Sequence, residues 1–389
     1  MNRSLRQMVG WLVGMIALGV SIASSDTAAA EDKVVQVPVA VALTGPIATF
    51  GQEILHGAML AAEDINKAGG IKSGPWAGAT IKILPVDTRG EPTEAANVAQ
   101  KLVLDNNNVV VVGDVFSSSC LAALPIYEQA KLSLVMPICS NPTITARYKS
   151  AIRVVQDDKI NGIGMMAVML EKFHPKKAGI LYANNDYGRG MYQESTKYLD
   201  AHGASYVGEP YNEGETDYTA IINRFAKANV DMIAQIGFYT EAALQRRQAV
   251  QQGLNVPYLA GPGSVSAEFI RLGGKEAEGA YVLDFMKESM DTPKLKELND
   301  RVKSAWNESF NLYHRNAYDA IYFIAAALAA SHDKSREAVN SALRSTKIQG
   351  LTYAMALNQQ ADLIVPLDHV NEYFYLKEVK GGRFVDSDK

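Results

Sequence analysis

Three consecutive serines, Ser117 to Ser119, are placed where their hydroxyl groups could bind an anion. They follow the apolar residues 109–112 and precede residues 121–130, which have the pattern of a helix. The first N–H groups of a helix lack intrahelical partners, and the helix dipole favours negative charge there, so this segment could hold a carboxylate. The alternative is that Ser117 or Ser118 only caps the helix, which is a commoner role for serine.

Signatures of enzyme chemistry are missing from the sequence. It contains no G-x-S-x-G, no H-E-x-x-H and no Walker motif. The histidines are scattered without the spacing of metal ligands, and each is expected to be a surface or capping residue: His56, His174, His202, His314, His332 and His369. We therefore predict a protein that is not an enzyme and that uses no metal or cofactor.

Aromatic side chains gather near the ends of predicted strands. They are Phe50, Phe116, Tyr187, Phe238 and Tyr239. Taken singly, each is more often a core residue than a pocket residue. Five at the same edge are consistent with a cleft for a small molecule.

The elements that must position these residues alternate in type. Strands and helices alternate along residues 34–136, which predicts a doubly wound parallel sheet with ligands bound outside the carboxyl ends of its strands. A second alternating series from about residue 159 to 283 predicts a second α/β lobe. The last hundred residues are predicted to be mostly helical and to pack back on an existing lobe. The chain would then cross between lobes more than once and form a hinge.

Composition and the N-terminus limit the possible partners and location. The 389 residues are 48% hydrophobic and 21% charged with a net charge of −4, and no basic patch suggests a nucleic-acid partner. Arg3 and Arg6 precede the apolar residues 8–23, and Ala28-Ala29-Ala30 provides a cleavage site. These features predict a signal peptide over residues 1–30 and export to the periplasm.

The chain has two cysteines, Cys120 and Cys139. They could pair in an oxidising compartment, but the sequence does not give the distance between their Cα atoms. We expect two buried thiols, with a disulfide as the alternative.

Motifs along the mature chain carry a resemblance to a known family. They include Leu43-Thr44-Gly45-Pro46, Ser117-Ser118-Ser119, Asn185-Asp186-Tyr187-Gly188 and Phe238-Tyr239-Thr240-Glu241-Ala242-Ala243. In this order and spacing, the sequence resembles the periplasmic branched-chain amino-acid-binding proteins of ABC transporters, which have the type I periplasmic solute-binding fold.

The resemblance implies an α/β fold of two doubly wound parallel-sheet lobes joined by a three-crossing hinge. Lobe 1 would comprise residues 31–156 and 288–366, and lobe 2 residues 157–287 and 367–389. A monomer that captures a small carboxylate and delivers it to an ABC permease in the inner membrane is the expected function.

The resemblance also implies roles for individual residues. Ser117 would hold the ligand carboxylate, and Tyr187 would close on the ligand from the second lobe. The other predicted ligand-binding residues are Phe50, Phe116, Ser118, Ile138, Ser140, Phe238 and Tyr239.

One departure from the family pattern bears on the ligand. Amino-acid-binding members place an acid after the strand at residues 257–259, where it pairs with the ligand ammonium, but here Ala260-Gly261-Pro262-Gly263-Ser264 follows. A desolvated ammonium without a carboxylate is costly, so we predict an organic or aromatic acid that lacks an α-amino group. An amino-acid ligand, a sensing role in a signalling system and an enzyme on the same fold are the alternatives.

Overall fold

The computed structural model describes residues 33–365 and 373–388. The strands are β1 (Val34–Val41), β2 (Thr80–Asp87), β3 (Val110–Gly113), β4 (Ser133–Met136), β5 (Ala151–Arg153), β6 (Ala178–Ala183), β7 (Tyr206–Tyr211), β8 (Met232–Ile236), β9 (Tyr258–Ala260), β10 (Tyr281–Asp284), β11 (Lys347–Gln349), β12 (Ala354–Ala356), β13 (Tyr375–Lys380) and β14 (Arg383–Ser387). The helices are α1 (Ala48–Lys67), α2 (Pro92–Leu104), α3 (Ser117–Gln129), α4 (Thr143–Arg147), α5 (Asp158–Phe173), α6 (Asp186–Ala201), α7 (Thr219–Lys227), α8 (Tyr239–Gln251), α9 (Ala267–Gly273), α10 (Pro293–Trp306), α11 (Leu312–Ala330) and α12 (Arg336–Ser345).

The first sheet is parallel throughout, with strand order β2-β1-β3-β4-β5. Its central strands are apolar and buried on both faces, as expected for a sheet with helices on either side. Helix α2 packs against α3, and α1 packs against α11. This confirms the predicted α/β class.

The second sheet has seven strands in the order β14-β13-β10-β9-β8-β6-β7. Strands β6 to β10 pair in parallel, whereas β13 and β14 add an antiparallel edge. The predicted second α/β lobe is therefore confirmed, and the antiparallel edge is an addition that the sequence analysis did not predict. The predicted signal peptide (residues 1–30) and the predicted lobe boundary at residues 366–367 lie outside the described residues. Within the described part of the chain, no helix is long and apolar enough to cross a membrane.

Several helices begin earlier than the sequence pattern indicated. The sequence pattern predicts helix starts at residues 121, 191 and 316. In the structure, α3, α6 and α11 begin at Ser117, Asp186 and Leu312. The polar and glycine residues in these first turns resemble a loop in sequence, yet Asn185 and Asn311 cap α6 and α11 through their side chains.

Candidate functional site

A cavity lies where the carboxyl ends of strands from both sheets converge. It contains about 490 Å³ of space free of protein atoms, part of which is open to solvent. Its wall is formed by Val115, Ser117, Ile138, Ser140, Val155, Gln156, Asn161, Tyr187, Phe238, Pro262, Gly263, Phe285, Leu312, Tyr313 and Asn316.

Ser117 is the first residue of α3 and lines this cavity. The N-cap is Phe116, with extended backbone and no side-chain hydrogen bond to the helix, so the interpretation of Ser117 or Ser118 as the cap is wrong. The Ser117 Oγ accepts a hydrogen bond from the Asn141 N–H at 3.3 Å. The positive end of the α3 dipole therefore lies at the cavity wall beside a hydroxyl group.

A disulfide joins Cys120 to Cys139, whose Cα atoms are 6.7 Å apart. The expectation of two buried thiols is therefore wrong. Cys120 follows β3 and Cys139 follows β4, and these neighbouring parallel strands bring the two residues to the same sheet edge. The bridge fixes the segment that carries Ile138 and Ser140, both of which line the cavity.

Tyr187 and Phe238 form an aromatic side of the cavity, with ring centroids 5.4 Å apart. Tyr187 lies in the first turn of α6, and its hydroxyl donates to the Met191 Sδ at 3.5 Å. Burial raises the pKa of Tyr187 above its ordinary value, with the nearby Asp158 carboxyl adding to the effect. The phenol is therefore neutral and can donate a hydrogen bond.

The remaining predicted aromatics stand behind this wall. Phe50 stacks on Tyr313 at 4.1 Å between ring centroids, and Phe116 contacts Phe238 edge-on at 4.7 Å. The Tyr239 hydroxyl donates to the Pro46 carbonyl at 3.1 Å. The structure thus brings five predicted site residues to the cavity wall and places four outside it, where they support the wall or neighbour it. The five are Ser117, Ile138, Ser140, Tyr187 and Phe238; the four are Phe50, Phe116, Ser118 and Tyr239.

Polar side chains that the sequence analysis did not identify also line the cavity. Gln156 is buried, and neither its amide oxygen nor its amide nitrogen has a hydrogen-bond partner among the described residues. The Asn161 Oδ1 is likewise unpartnered, whereas Asn316 donates to the Pro137 carbonyl at 3.0 Å. Buried polar groups are normally paired with protein or water, so the first two amides are available to bind a polar partner in the cavity. Gln156 follows β5, a three-residue strand that was not predicted.

No charged side chain stands among the described residues that line the cavity. Asp158 contacts the lining residue Ser140: it is buried, and its backbone N–H donates to the Ser140 carbonyl at 2.8 Å. Burial raises the pKa of Asp158 to about 7, against the opposing effect of the Arg153 charge. The segment without an acid after β9 contributes Pro262 and Gly263 to the wall.

Comparisons with known proteins agree with this architecture. A family described as "Periplasmic binding protein" matches residues 34–382. A leucine-, isoleucine-, valine-, threonine- and alanine-binding protein of Pseudomonas aeruginosa is 30% identical over 331 residues, covering 85% of this chain and 87% of the relative.

Solved structures share the fold over most of the chain. A leucine-binding protein from Thermotoga maritima superposes with a TM-score of 0.82 at 25% identity, covering 91% of this chain and 98% of that one. A solute-binding protein from R. palustris in complex with benzoate superposes with a TM-score of 0.78 at 18% identity, covering 91% and 95%. The second likeness concerns the fold alone.

Proposed function

The chain belongs to the periplasmic binding protein family, and on that premise we propose that it binds a small carboxylate between two closing lobes. We infer that it binds a solute for an ABC transporter and is not an enzyme. The proposed protein is an exported monomer that works in the periplasm and delivers its ligand to a branched-chain amino-acid-type permease.

The proposed lobes comprise residues 31–156 with 288–366, and residues 157–287 with 367–389. Contacts of the C-terminal helices support the first grouping. The Arg336 guanidinium donates to the carbonyls of Val103, Asp105 and Asn108 in the region of the first sheet. The Asn340 side chain donates to the Ser133 Oγ at 2.9 Å. The cavity wall draws on strand ends of both sheets, so closure of two lobes about it would bury a ligand.

A carboxylate fits the polar end of the cavity. The α3 N-terminus offers N–H groups and a positive dipole, and Ser117 adds a hydroxyl donor. The unpartnered Gln156 amide can donate to a further oxygen. The neutral Tyr187 hydroxyl and the Phe238 ring supply an aromatic side for the remainder of the ligand.

The observation that carries the choice of ligand is the absence of a charged group from the described cavity wall. An α-ammonium buried there would lose its hydration without gaining a carboxylate in contact. An organic or aromatic acid without an α-amino group therefore fits better than an amino acid.

A second candidate ligand is an amino acid, and one observation favours it. The Asp158 Oδ2 is buried and has no hydrogen-bond partner among the described residues, so it could face an ammonium if the wall rearranged. The names of the relatives from P. aeruginosa and T. maritima specify leucine among the ligands of those proteins.

Isothermal titration with two matched ligands distinguishes the candidates. L-leucine and 4-methylpentanoate share a carboxylate and a side chain and differ only in the α-amino group. We expect 4-methylpentanoate or benzoate to bind and leucine not to bind. Micromolar or tighter binding of leucine would contradict the proposal, and loss of that leucine binding in Asp158→Asn would identify Asp158 as the ammonium partner.

Signalling is the alternative to transport, because a periplasmic binding protein that holds its ligand can also interact with a sensor kinase. Permease and ATPase genes beside this gene would support transport, whereas a neighbouring kinase gene would support sensing. Sequencing the N-terminus of the exported protein should give Glu31 as the first residue.

A further inference from the structure

Two histidines and one glutamate converge at a site outside the ligand cavity. His56 lies on α1, Glu308 lies in the connection between α10 and α11, and His314 lies in the first turn of α11. The His56 Nδ1 is 2.9 Å from the Glu308 Oε2, and the His314 Nε2 is 3.0 Å from the same oxygen. One potential ligand atom from each residue lies within 4.8 Å of the others.

The surrounding residues hold both imidazole rings in place. The Trp306 ring stacks on His56 with centroids 4.0 Å apart and an interplanar angle of 5°. The Asn311 Oδ1 lies 2.9 Å from the His314 Nδ1, which leaves the Nε2 directed at Glu308. Metal-binding histidines commonly have such a partner on the second ring nitrogen, because it fixes the orientation of the ring.

The backbone is shaped to allow this convergence. A Cβ atom at Gly57 would lie 2.2 Å from the His314 carbonyl oxygen, so any larger residue would push α1 and α11 apart. The glycine next to His56 therefore permits the close approach of the two helices at this point. The centroids of the His56 and His314 rings are 6.5 Å apart.

A second acidic side chain, Glu53, stands beside these three residues. Glu53 lies one helical turn before His56 on α1, is buried, and has an Oε2 without a hydrogen-bond partner among the described residues. Glu53, Glu308 and Asn311 line one depression that is open to solvent. An ion could enter through this depression, and the free Glu53 oxygen could accept a hydrogen bond from a water molecule on the ion.

We propose that His56, Glu308 and His314 bind a first-row transition-metal dication of the Zn²⁺ type, with a water molecule in the fourth position. Two imidazole nitrogens and one carboxylate oxygen form a donor set that suits this class of ion. Ligand atoms about 2.1 Å from a tetrahedral ion are about 3.4 Å apart. The two measured separations would each widen by about half an ångström on binding, which side-chain rotation can provide.

The sequence could not indicate this site, since 252 residues separate His56 from Glu308. The site also does not depend on the proposed carboxylate ligand. The ion would join α1 to the first turn of α11, and Tyr313 and Asn316 of α11 line the ligand cavity on another face.

Isothermal titration with ZnCl₂ tests the proposal on untagged protein that has been treated with a chelator and dialysed. We expect one Zn²⁺ per chain with a dissociation constant of about 1 µM or lower, and no binding of Mg²⁺ under the same conditions. No heat of binding with Zn²⁺ would overturn the proposal. Equal binding of Mg²⁺ would do so too, because a nitrogen-rich site disfavours that ion.

Variants locate the ion. His56→Phe retains an aromatic ring for stacking on Trp306 but removes a ligand, and Glu308→Gln removes the charge at nearly constant size. Each substitution should weaken Zn²⁺ binding by more than about 10-fold. Loss of a residue that only hydrogen-bonds to a metal ligand already costs about 10-fold in affinity, so loss of a ligand itself should cost more. His332→Ala, which removes an exposed histidine beside Asp333, is the matched control and should bind as the wild type does. Unchanged Zn²⁺ binding in His56→Phe and Glu308→Gln, or an equal loss in the control, would refute the assignment.

Discussion

Two adjacent serines, Ser117 and Ser118, differ in their expected importance for ligand binding. Ser117 lines the cavity and Ser118 does not. Ser117→Ala should weaken carboxylate binding by about 10- to 100-fold, because a hydrogen bond to a charged group contributes about 1.5–3 kcal/mol. Isothermal titration with the tightest carboxylate found for the wild type would measure this loss.

Ser118→Ala is the control for that substitution, and we expect it to keep the affinity of the wild type. The Ser117 Oγ also accepts from the Asn141 N–H, so thermal melting must first show that Ser117→Ala is folded. An equal effect of both substitutions would place the carboxylate elsewhere.

At the residue scale, the sequence is sufficient to place a side chain at the cavity where that side chain follows a recognisable strand. Ser117, Ile138 and Ser140 come directly after the buried strands β3 and β4, so topology alone brings them to one edge. Gln156 was missed because β5 has only three residues and gives no clear periodic signal. Asn316 was missed because it lies on a long buried helix, where only the three-dimensional packing shows that it reaches the cavity.

At the scale of elements, the disulfide links the first turn of α3 to the segment after β4. Replacing both cysteines, in Cys120→Ala/Cys139→Ala, should lower the free energy of unfolding by about 3 kcal/mol, since the bridge closes a loop of about 20 residues in the unfolded chain. Urea denaturation of the two proteins would measure the difference.

Two observations would contradict that prediction. One is an unchanged urea midpoint for the double variant with an unchanged slope of the transition. The other is the titration of two free thiols in the unfolded, unreduced wild-type protein exported from cells. Intact mass should show the oxidised chain lighter by two hydrogen atoms than the reduced chain.

The order of helices and parallel strands was predictable, because alternating apolar strands and amphipathic helices leave a strong pattern. The antiparallel hairpin of β13 and β14 was missed, although a signal was present. Gly381 and Gly382 both have positive φ and form a two-residue turn, which is a recognised hairpin signature. Charged residues within these edge strands obscured the alternation that marks a strand.

At the scale of the whole molecule, buried acids make stability depend on pH. Burial raises the pKa of Asp158 to about 7 and that of Asp114 to about 7, whereas an aspartic acid in an unfolded chain titrates near pH 4. Between these values the folded state binds more protons than the unfolded state, so stability falls as the pH rises. Burial lowers the pKa of His314 below its ordinary value of 6.5. Protonation of this histidine in the unfolded state therefore opposes the trend, but only at pH values below about 6.5.

We therefore expect the melting temperature to fall between pH 6.5 and 8, a window in which His314 contributes little. Asp158→Asn removes one of the buried acids and should make the decline shallower, by up to about 1.4 kcal/mol per pH unit below pH 7, by about half of that at pH 7 and by progressively less above it. Asp300→Asn, at an exposed position on α10, should leave the profile unchanged. Thermal melting of the three proteins in chelator, without added carboxylate, keeps ligand and metal binding out of the comparison. A wild-type profile that is flat or rises from pH 6.5 to 8 would show that the buried acids titrate as they do in the unfolded chain.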